Sequence, residues 1–135
     1  MATVRKEVVT QAPPERVWDA IRDVGALHTR LVPGFVTATQ LEPGARIVTF
    51  ANGVTAREPI VTIDETGRRL VWSAEGIGAT HYNASVEVID EADSTRVVWI
   101  ADFLPDELAG KIDAAMEAGA QAMQAALDKL DPTGR

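Results

Sequence analysis

The hydrophobic pattern changes its period three times along the chain. Residues 4–10 alternate in steps of two and predict an opening strand that ends at Ala12-Pro13-Pro14. Over residues 15–24 the apolar side chains recur at helical spacing, and Gly25 is placed as the C-terminal stop of that helix. A second short helix is predicted over residues 26–32.

Turn signals then recur at hairpin intervals up to residue 104. The turns are Glu42-Pro43-Gly44, Asn52-Gly53, Glu65-Thr66-Gly67, Gly76-Ile77-Gly78 and Glu91-Ala92-Asp93-Ser94. They delimit six antiparallel strands, at roughly 35–42, 45–51, 54–64, 69–75, 80–90 and 95–104. Asn52-Gly53 is the strongest signal and predicts a two-residue type I′ turn, because both central residues of that turn need positive φ.

The last segment, residues 105–130, is predicted to form one amphipathic helix. Its apolar face comprises Leu108, Ile112, Met116, Gly119, Met123, Leu127 and Leu130. Glu107 and Lys111 have the favourable i,i+4 orientation for an ion pair. Hairpins alone cannot cover so large an apolar face, so the sheet must curve around this helix. The predicted fold is therefore α+β: a seven-stranded curved antiparallel sheet wrapped around a long C-terminal helix, with two short helices after the first strand.

Length and charge limit the classes of protein that fit. The 135 residues, 46% of them hydrophobic, suit one domain over residues 1–131, with a disordered tail over residues 132–135. Lys plus Arg is 13 against 20 for Asp plus Glu, and the net charge of −7 argues against nucleic acid and anionic membrane surfaces. No apolar run approaches the ~18 residues that span a bilayer, so we expect a cytoplasmic protein without membrane insertion.

The inventory of reactive side chains is short. The chain has no cysteine, which excludes disulfides, thiolate zinc sites and thiol nucleophiles. Its two histidines, His28 and His81, are far apart and lie outside any HExxH-like motif, so no metal site is expected. Gly76-Ile77-Gly78 lacks the spacing and the following helix of a dinucleotide fingerprint, and we expect no cofactor.

Three segments carry a resemblance that covers nearly the whole chain. They are Ala12-Pro13-Pro14-Glu15-Arg16-Val17-Trp18, then Gly53 through Glu58 with Ile63-Asp64, then Thr95-Arg96-Val97-Val98-Trp99 leading to Pro105. Their order and spacing resemble the START-like (SRPBCC) superfamily. That superfamily shares the helix-grip fold and includes polyketide cyclase/dehydrase-like proteins, the birch pollen allergen family and plant abscisic acid receptors.

The resemblance implies a hollow between sheet and C-terminal helix that holds a hydrophobic or aromatic small molecule. The superfamily contains cyclases, dehydratases, hormone receptors, lipid carriers and co-chaperone domains, so the fold leaves the activity open. Our hypothesis is a ligand-binding protein, with polyketide cyclase/dehydratase-like activity as its enzymatic form. The alternatives are a non-enzymatic carrier or sensor of lipid-like ligands and a co-chaperone-like interaction domain. A homodimer is compatible with all of these.

Two residues are candidates for catalysis. The resemblance places Glu58 on the inner face of its strand, where burial would raise its pKa and let it accept or relay a proton. The alternative is a carboxylate paired with Arg57, Arg68 or Arg69 at the sheet edge. Pro59 removes a ladder donor, so the strand is expected to be an edge strand or to be bulged there. His81, which opens the strand over residues 80–90, is the second candidate acid or hydrogen-bond donor.

The inner face of that strand has two solutions. Alternation directs either His81, Asn83 and Ser85 inward, or Tyr82, Ala84, Val86 and Val88. Hydropathy favours the second set, the resemblance to the receptor branch favours the first, and a bulge near Ala84 would reconcile them. Asn83 and Ser85 are therefore kept as candidate ligand contacts.

The other candidate ligand contacts are apolar. Trp72, Trp99 and Phe103 lie on the predicted concave face, where a buried indole also needs a partner for its N–H group. Met116 and Met123 form the inner stripe of the last helix, and Gly119 between them makes room for a ligand or a crossing strand.

Overall fold

The computed structural model describes residues 1–130, and the predicted tail over residues 132–135 lies outside them. Its strands are β1 (Ala2–Thr10), β2 (Val36–Glu42), β3 (Ala45–Phe50), β4 (Thr55–Asp64), β5 (Arg69–Ser73), β6 (His81–Asp90) and β7 (Thr95–Leu104). Its helices are α1 (Pro14–Arg22) and α2 (Ala109–Asp128), with short helical turns at Val24–Ala26, Leu27–Leu31 and Asp106–Leu108. The predicted order of elements is confirmed.

The seven strands form one antiparallel sheet in the order β1-β7-β6-β5-β4-β3-β2. β1 lies beside β7 over its whole length, from Ala2 opposite Phe103 to Thr10 opposite Thr95. The inner face of the sheet and the apolar faces of α1 and α2 enclose one connected core. None of the helices within residues 1–130 is long and apolar enough to span a membrane.

The two short helical segments after β1 close one end of the sheet. Pro14 occupies the first turn of α1, where its missing N–H group costs nothing, and Val17, Trp18 and Ile21 are buried. Gly25 does not stop this helix as predicted, because α1 already ends at Arg22. A Cβ at Gly25 would lie 2.8 Å from the side chain of Leu41, so the glycine serves close packing instead.

The inward face of β6 follows hydropathy. Ala84, Val86 and Val88 are buried and Tyr82 is half-buried. Pairing with β7 runs without a break from His81 opposite Leu104 to Asp90 opposite Thr95. The proposed bulge near Ala84 is therefore wrong, and a single alternation holds along the strand.

The turn between β3 and β4 differs from the prediction by one residue. The Phe50 N–H donates to the Val54 carbonyl, and the Gly53 N–H donates to the Phe50 carbonyl. Gly53 has a φ of 88°, whereas Asn52 stays outside the positive region. The loop therefore has three residues, and the predicted two-residue type I′ turn is wrong.

Side chains of β1 hold α2 along one edge of the sheet. Lys6 Nζ lies 3.0 Å from Asp113 Oδ1 and 3.2 Å from Glu117 Oε1. Further along the helix, Gln124 Nε2 donates to the carbonyl of Val9 across 2.7 Å. Because α2 is fastened beside β1, it does not cover the inner face of the strands on the far side.

Gly119 is where α2 and the sheet approach most tightly. A Cβ at this position would lie 2.8 Å and 2.9 Å from two atoms of the Trp99 indole and 3.1 Å from the Phe35 ring. Of the two predicted occupants of the space at Gly119, a ligand or a crossing strand, the structure places a strand residue there, since the side chain of Trp99 on β7 fills it. At Gly110 in the same helix, a Cβ would meet nothing within 4 Å.

These two glycines provide a matched test of the contact. Gly119→Ala overpacks the interface and is expected to lower the free energy of unfolding by about 1 kcal/mol, after the gain in helix propensity. Gly110→Ala adds only the gain in helix propensity and is expected to raise the free energy of unfolding by up to about 1 kcal/mol. Chemical denaturation of both variants measures the difference, and effects of the same sign would contradict the assigned contact.

Candidate functional site

The uncovered inner face of the sheet borders a cavity of about 180 Å³. Its strand-borne wall includes Leu70, Trp72, Tyr82, Val86 and Trp99. α2 contributes Lys111, Ile112, Ala115, Met116 and Met123, and the segment after α1 contributes Leu31, Val32 and Phe35. Asn52, Val54 and Ile77, from two hairpin loops, lie at its mouth. The walls are thus apolar apart from a few polar groups.

A buried ion pair stands in this apolar wall. Arg46 Nε donates to Glu58 Oε1 across 2.8 Å, and the exposed side-chain fractions are only 3% for Arg46 and 9% for Glu58. The Arg46 guanidinium carbon lies 5.3 Å from the centroid of the Trp72 ring, a cation–π contact. Both charged groups line the cavity. Glu58 therefore faces inward, as the family resemblance implies.

Burial controls the protonation of this cluster. It is the largest influence on Glu58 and raises the pKa of the carboxyl above its ordinary value of 4.5, while the charge and hydrogen bond of Arg46 act in the opposite direction. Burial also raises the pKa of the Tyr82 hydroxyl, and the nearby charge of Glu58 adds to that effect. Glu58 thus holds a proton at higher pH than an exposed glutamate, which suits proton exchange with a bound molecule.

Arg46 is a buried charged residue of the cavity wall that the sequence analysis did not single out. It lies directly opposite Glu58 in the β3–β4 pairing. The predicted two-residue turn shifts the β3–β4 register by one residue and would have placed Arg46 opposite Pro59. Glu58 would then have projected from the face opposite to that of Arg46. A correct length for the loop between β3 and β4 would have identified Arg46 as the partner of Glu58.

The alternative partners for Glu58 are wrong. Arg57 lies on the outside, with Nε 2.5 Å from Glu42 Oε1 and Nη1 2.8 Å from Glu75 Oε2. β4 is not an edge strand, since β3 and β5 flank it. The predicted bulge is confirmed, because the register with β5 shifts between Ile60 and Thr62.

The predicted apolar contacts divide into two groups. Trp72, Trp99, Met116 and Met123 line the cavity. Phe103 does not line the cavity; it is fully buried beside Tyr82, directly opposite it in the β6–β7 pairing, and the two rings stack at 6.4 Å between centroids. Gly119 acts through the space it leaves for Trp99. Trp99 Nε1 is buried without an acceptor among residues 1–130, so the partner expected for a buried indole is missing there.

Three predicted polar contacts lie away from the cavity. His81, Asn83 and Ser85 alternate with the inward residues of β6 and therefore project from the outer face of the sheet. His81 is exposed at the start of the strand. The geometry removes His81 as a candidate acid and Asn83 and Ser85 as candidate ligand contacts.

The chain matches a known protein family over nearly its whole length. A sequence model of the family described as polyketide cyclase/dehydrase and lipid transport matches residues 1–133. The chain belongs to this family. A search of curated protein sequences finds no significant match.

Solved structures confirm that this family member has the START-like helix-grip fold. The protein XoxI from Bacillus cereus superimposes with a TM-score of 0.84 at 21% identity, covering 96% of this chain and 97% of XoxI. A START superfamily protein from Mycobacterium smegmatis gives a TM-score of 0.75 at 14% identity, with coverages of 96% and 99%. A norcoclaurine synthase from Thalictrum flavum, in complex with a transition-state analogue, gives 0.70 at 20% identity, with 93% of each chain covered.

The raised pKa of Glu58 predicts a pH-dependent stability. The folded state holds a proton that the unfolded state has released, so the stability that this group adds is full below 4.5 and is lost as pH rises through the folded-state pKa. The difference in unfolding free energy between wild type and Glu58→Gln should therefore fall as pH rises. The expected fall is about 1.4 kcal/mol for each pH unit between the two pKa values.

A variant at Glu65 should show the opposite pH dependence of stability. The hydrogen bond from Arg22 is the largest influence on Glu65 and lowers the pKa of that carboxyl, so its stabilising contribution appears as pH rises. The difference between wild type and Glu65→Gln should therefore grow with pH. Glu58→Gln leaves Arg46 as a buried charge without a partner. The Arg46→Met/Glu58→Met double variant therefore repeats the Glu58 stability measurement without an unpaired buried charge. A difference for Glu58 that grows with pH would refute the assignment.

Proposed function

We propose that the protein binds an apolar or aromatic small molecule in the cavity between its sheet and α2. The single observation that carries this proposal is the cavity of about 180 Å³ whose apolar walls hold a buried Arg46–Glu58 pair. Ligand sites of proteins combine these two properties: apolar walls that supply affinity and a few polar groups that set orientation. The capture of a transition-state analogue by a norcoclaurine synthase of this fold supports the proposal.

The volume limits the size of the guest. A cavity of roughly 150 Å³ with apolar walls holds one benzene molecule, and this one is slightly larger and opens to the exterior between α2 and two hairpin loops. One substituted aromatic ring, or a ring with a short chain, fits this description. Burying ~200 Å² of apolar ligand surface contributes about 5 kcal/mol before association costs, which corresponds to a Kd of about 0.2 mM or weaker.

The buried pair sets the orientation. Arg46 uses its Nε–H group on Glu58 Oε1, and the second carboxylate oxygen, Oε2, makes no hydrogen bond with a described residue. Tyr82 lines the same cavity. These groups supply an acceptor and donors to a neutral polar substituent, such as a hydroxyl or carbonyl group on the ring.

The three tryptophans allow a direct test of where a ligand binds. Trp72 and Trp99 line the cavity, whereas Trp18 Nε1 donates to Glu65 Oε1 across 2.8 Å and lies outside it. In ¹⁵N spectra, a panel of phenols, flavonoids and fatty acids should shift the indole N–H signals of Trp72 and Trp99 and leave that of Trp18 unchanged. Equal shifts at all three, or none at saturating concentrations, would contradict a ligand in this cavity.

The buried carboxyl also supports a second candidate function, acid–base catalysis. The raised pKa of Glu58 favours proton exchange with a bound molecule, and the family description includes cyclases and dehydrases. In the dehydration of a β-hydroxy ketone, the Glu58 carboxylate would remove the proton from the carbon beside the carbonyl. The resulting Glu58 carboxyl would return this proton to the β-hydroxyl group, which leaves as water as the carbon–oxygen bond breaks, and a conjugated enone forms.

The enone absorbs in the near ultraviolet, so dehydration is followed directly. Glu58→Gln should slow it by about 100-fold or more, while His81→Gln, a variant on the outer face, should leave the rate unchanged. Indole spectra of each variant confirm that the cavity is intact. If Glu58→Gln retains ligand binding and the reaction rate is the same with and without protein, the carrier or sensor form of the proposal is the correct one.

A further inference from the structure

The mouth of the cavity carries a cation that the buried pair leaves unused. Three charged residues line the cavity within the described part of the chain: Arg46, Glu58 and Lys111. Arg46 and Glu58 neutralise each other at 2.8 Å. Lys111 is exposed and makes no ion pair with any described residue. The cavity is thus neutral inside and positive at its entrance.

The position of Lys111 follows from helical spacing. Leu108 ends the turn before α2, and Lys111, Ile112 and Ala115 follow it in the helix at positions +3, +4 and +7. All four line the cavity, so they share one face of the helix. The ammonium group therefore lies on the same face as the apolar side chains that would touch a ligand. A long side chain at such a place covers apolar surface with its stem and keeps its charge in water.

Three acidic side chains near Lys111 are engaged elsewhere. Asp113 and Glu117 face β1 and pair with Lys6, and Asp106 pairs with the amino terminus at 3.2 Å. The predicted Glu107–Lys111 pair is not formed. Lys111 is consequently available to a negative group that arrives with the ligand.

The opposite rim adds a second donor. Asn52, in the loop between β3 and β4, lines the mouth, and its Oδ1 accepts the Val54 N–H across 3.0 Å. Its amide NH₂ group has no acceptor among the described residues. The mouth therefore presents an ammonium group and amide N–H donors, with no carboxylate among the described lining residues apart from the buried Glu58.

We propose that the cavity selects amphipathic aromatic acids, holding the ring inside, a neutral hydroxyl or carbonyl substituent at the Arg46–Glu58 pair, and a singly charged carboxylate at Lys111. The inference rests on the proposed function and names its ligand class. An anion does not suit the inner end, because Glu58 already neutralises Arg46 there. A polyanion does not suit the mouth, because a single lysine faces it in a chain with a net charge of −7.

Three ligands distinguish the contribution of the charge to binding from that of the ring: para-hydroxyphenylpropionate, its methyl ester and para-propylphenol. Binding is measured through the indole N–H signals of Trp72 and Trp99, with Trp18 as the internal reference. Wild type should bind the acid about three- to five-fold tighter than the ester, as for an exposed ion pair. This preference should shrink when ionic strength is raised from about 0.02 M to about 0.5 M.

Lys111→Met should abolish the preference for the acid while leaving affinity for the ester and for propylphenol unchanged. Lys129→Met is the matched control, since Lys129 follows α2, is exposed and does not line the cavity; it should behave as wild type. Equal binding of acid and ester, or a preference that survives in Lys111→Met, overturns the inference and leaves the proposed function standing. If none of the three ligands shifts Trp72 and Trp99 while a member of the wider panel does, the inference fails alone; if no member of that panel shifts them either, the proposed function fails with it.

Discussion

The contact between Gly119 and the Trp99 indole is the constraint on which the site depends. Without a side chain at Gly119, α2 approaches the ring closely, while Lys6 fastens the same helix beside β1. The helix is therefore held over one part of the concave face only. The strands beyond it turn their apolar side chains toward the cavity and toward the helical segments between β1 and β2. The cavity is the result of this one-sided docking.

Within that apolar space, the burial of the Arg46–Glu58 pair costs free energy. Two charges removed from water cost several kcal/mol each, and their attraction and hydrogen bond offset this cost only when the geometry is good. A distance of 2.8 Å and the Trp72 ring under the guanidinium supply such geometry. Well-packed apolar residues at both positions would fill the same space at less cost. The pair therefore points to a role toward a ligand, together with Lys111 at the mouth.

Much of the architecture was predictable from local patterns. Alternation on β6 left two inward faces open. The structure follows hydropathy, with Val86 inside and His81 outside, because the burial of apolar side chains decides which face of a strand turns inward. The candidate site was predictable only in part. Glu58, Trp72 and Trp99 were found, but Arg46 was missed, because its position opposite Glu58 depends on a loop with three residues rather than two.

The order of strands and helices, the apolar stripe of the last helix and the position of Gly119 on it could be predicted from consecutive residues, since periodicity is a local property. The packing of separate elements sets which charges meet and where space remains. Glu58 is twelve residues from Arg46 and could equally have paired with Arg57; the register of β3 against β4 makes the choice. The free Lys111 likewise depends on α2 turning Asp113 and Glu117 toward Lys6. Ion pairs and cavities arise from distances between separate elements, which no local pattern of residues encodes.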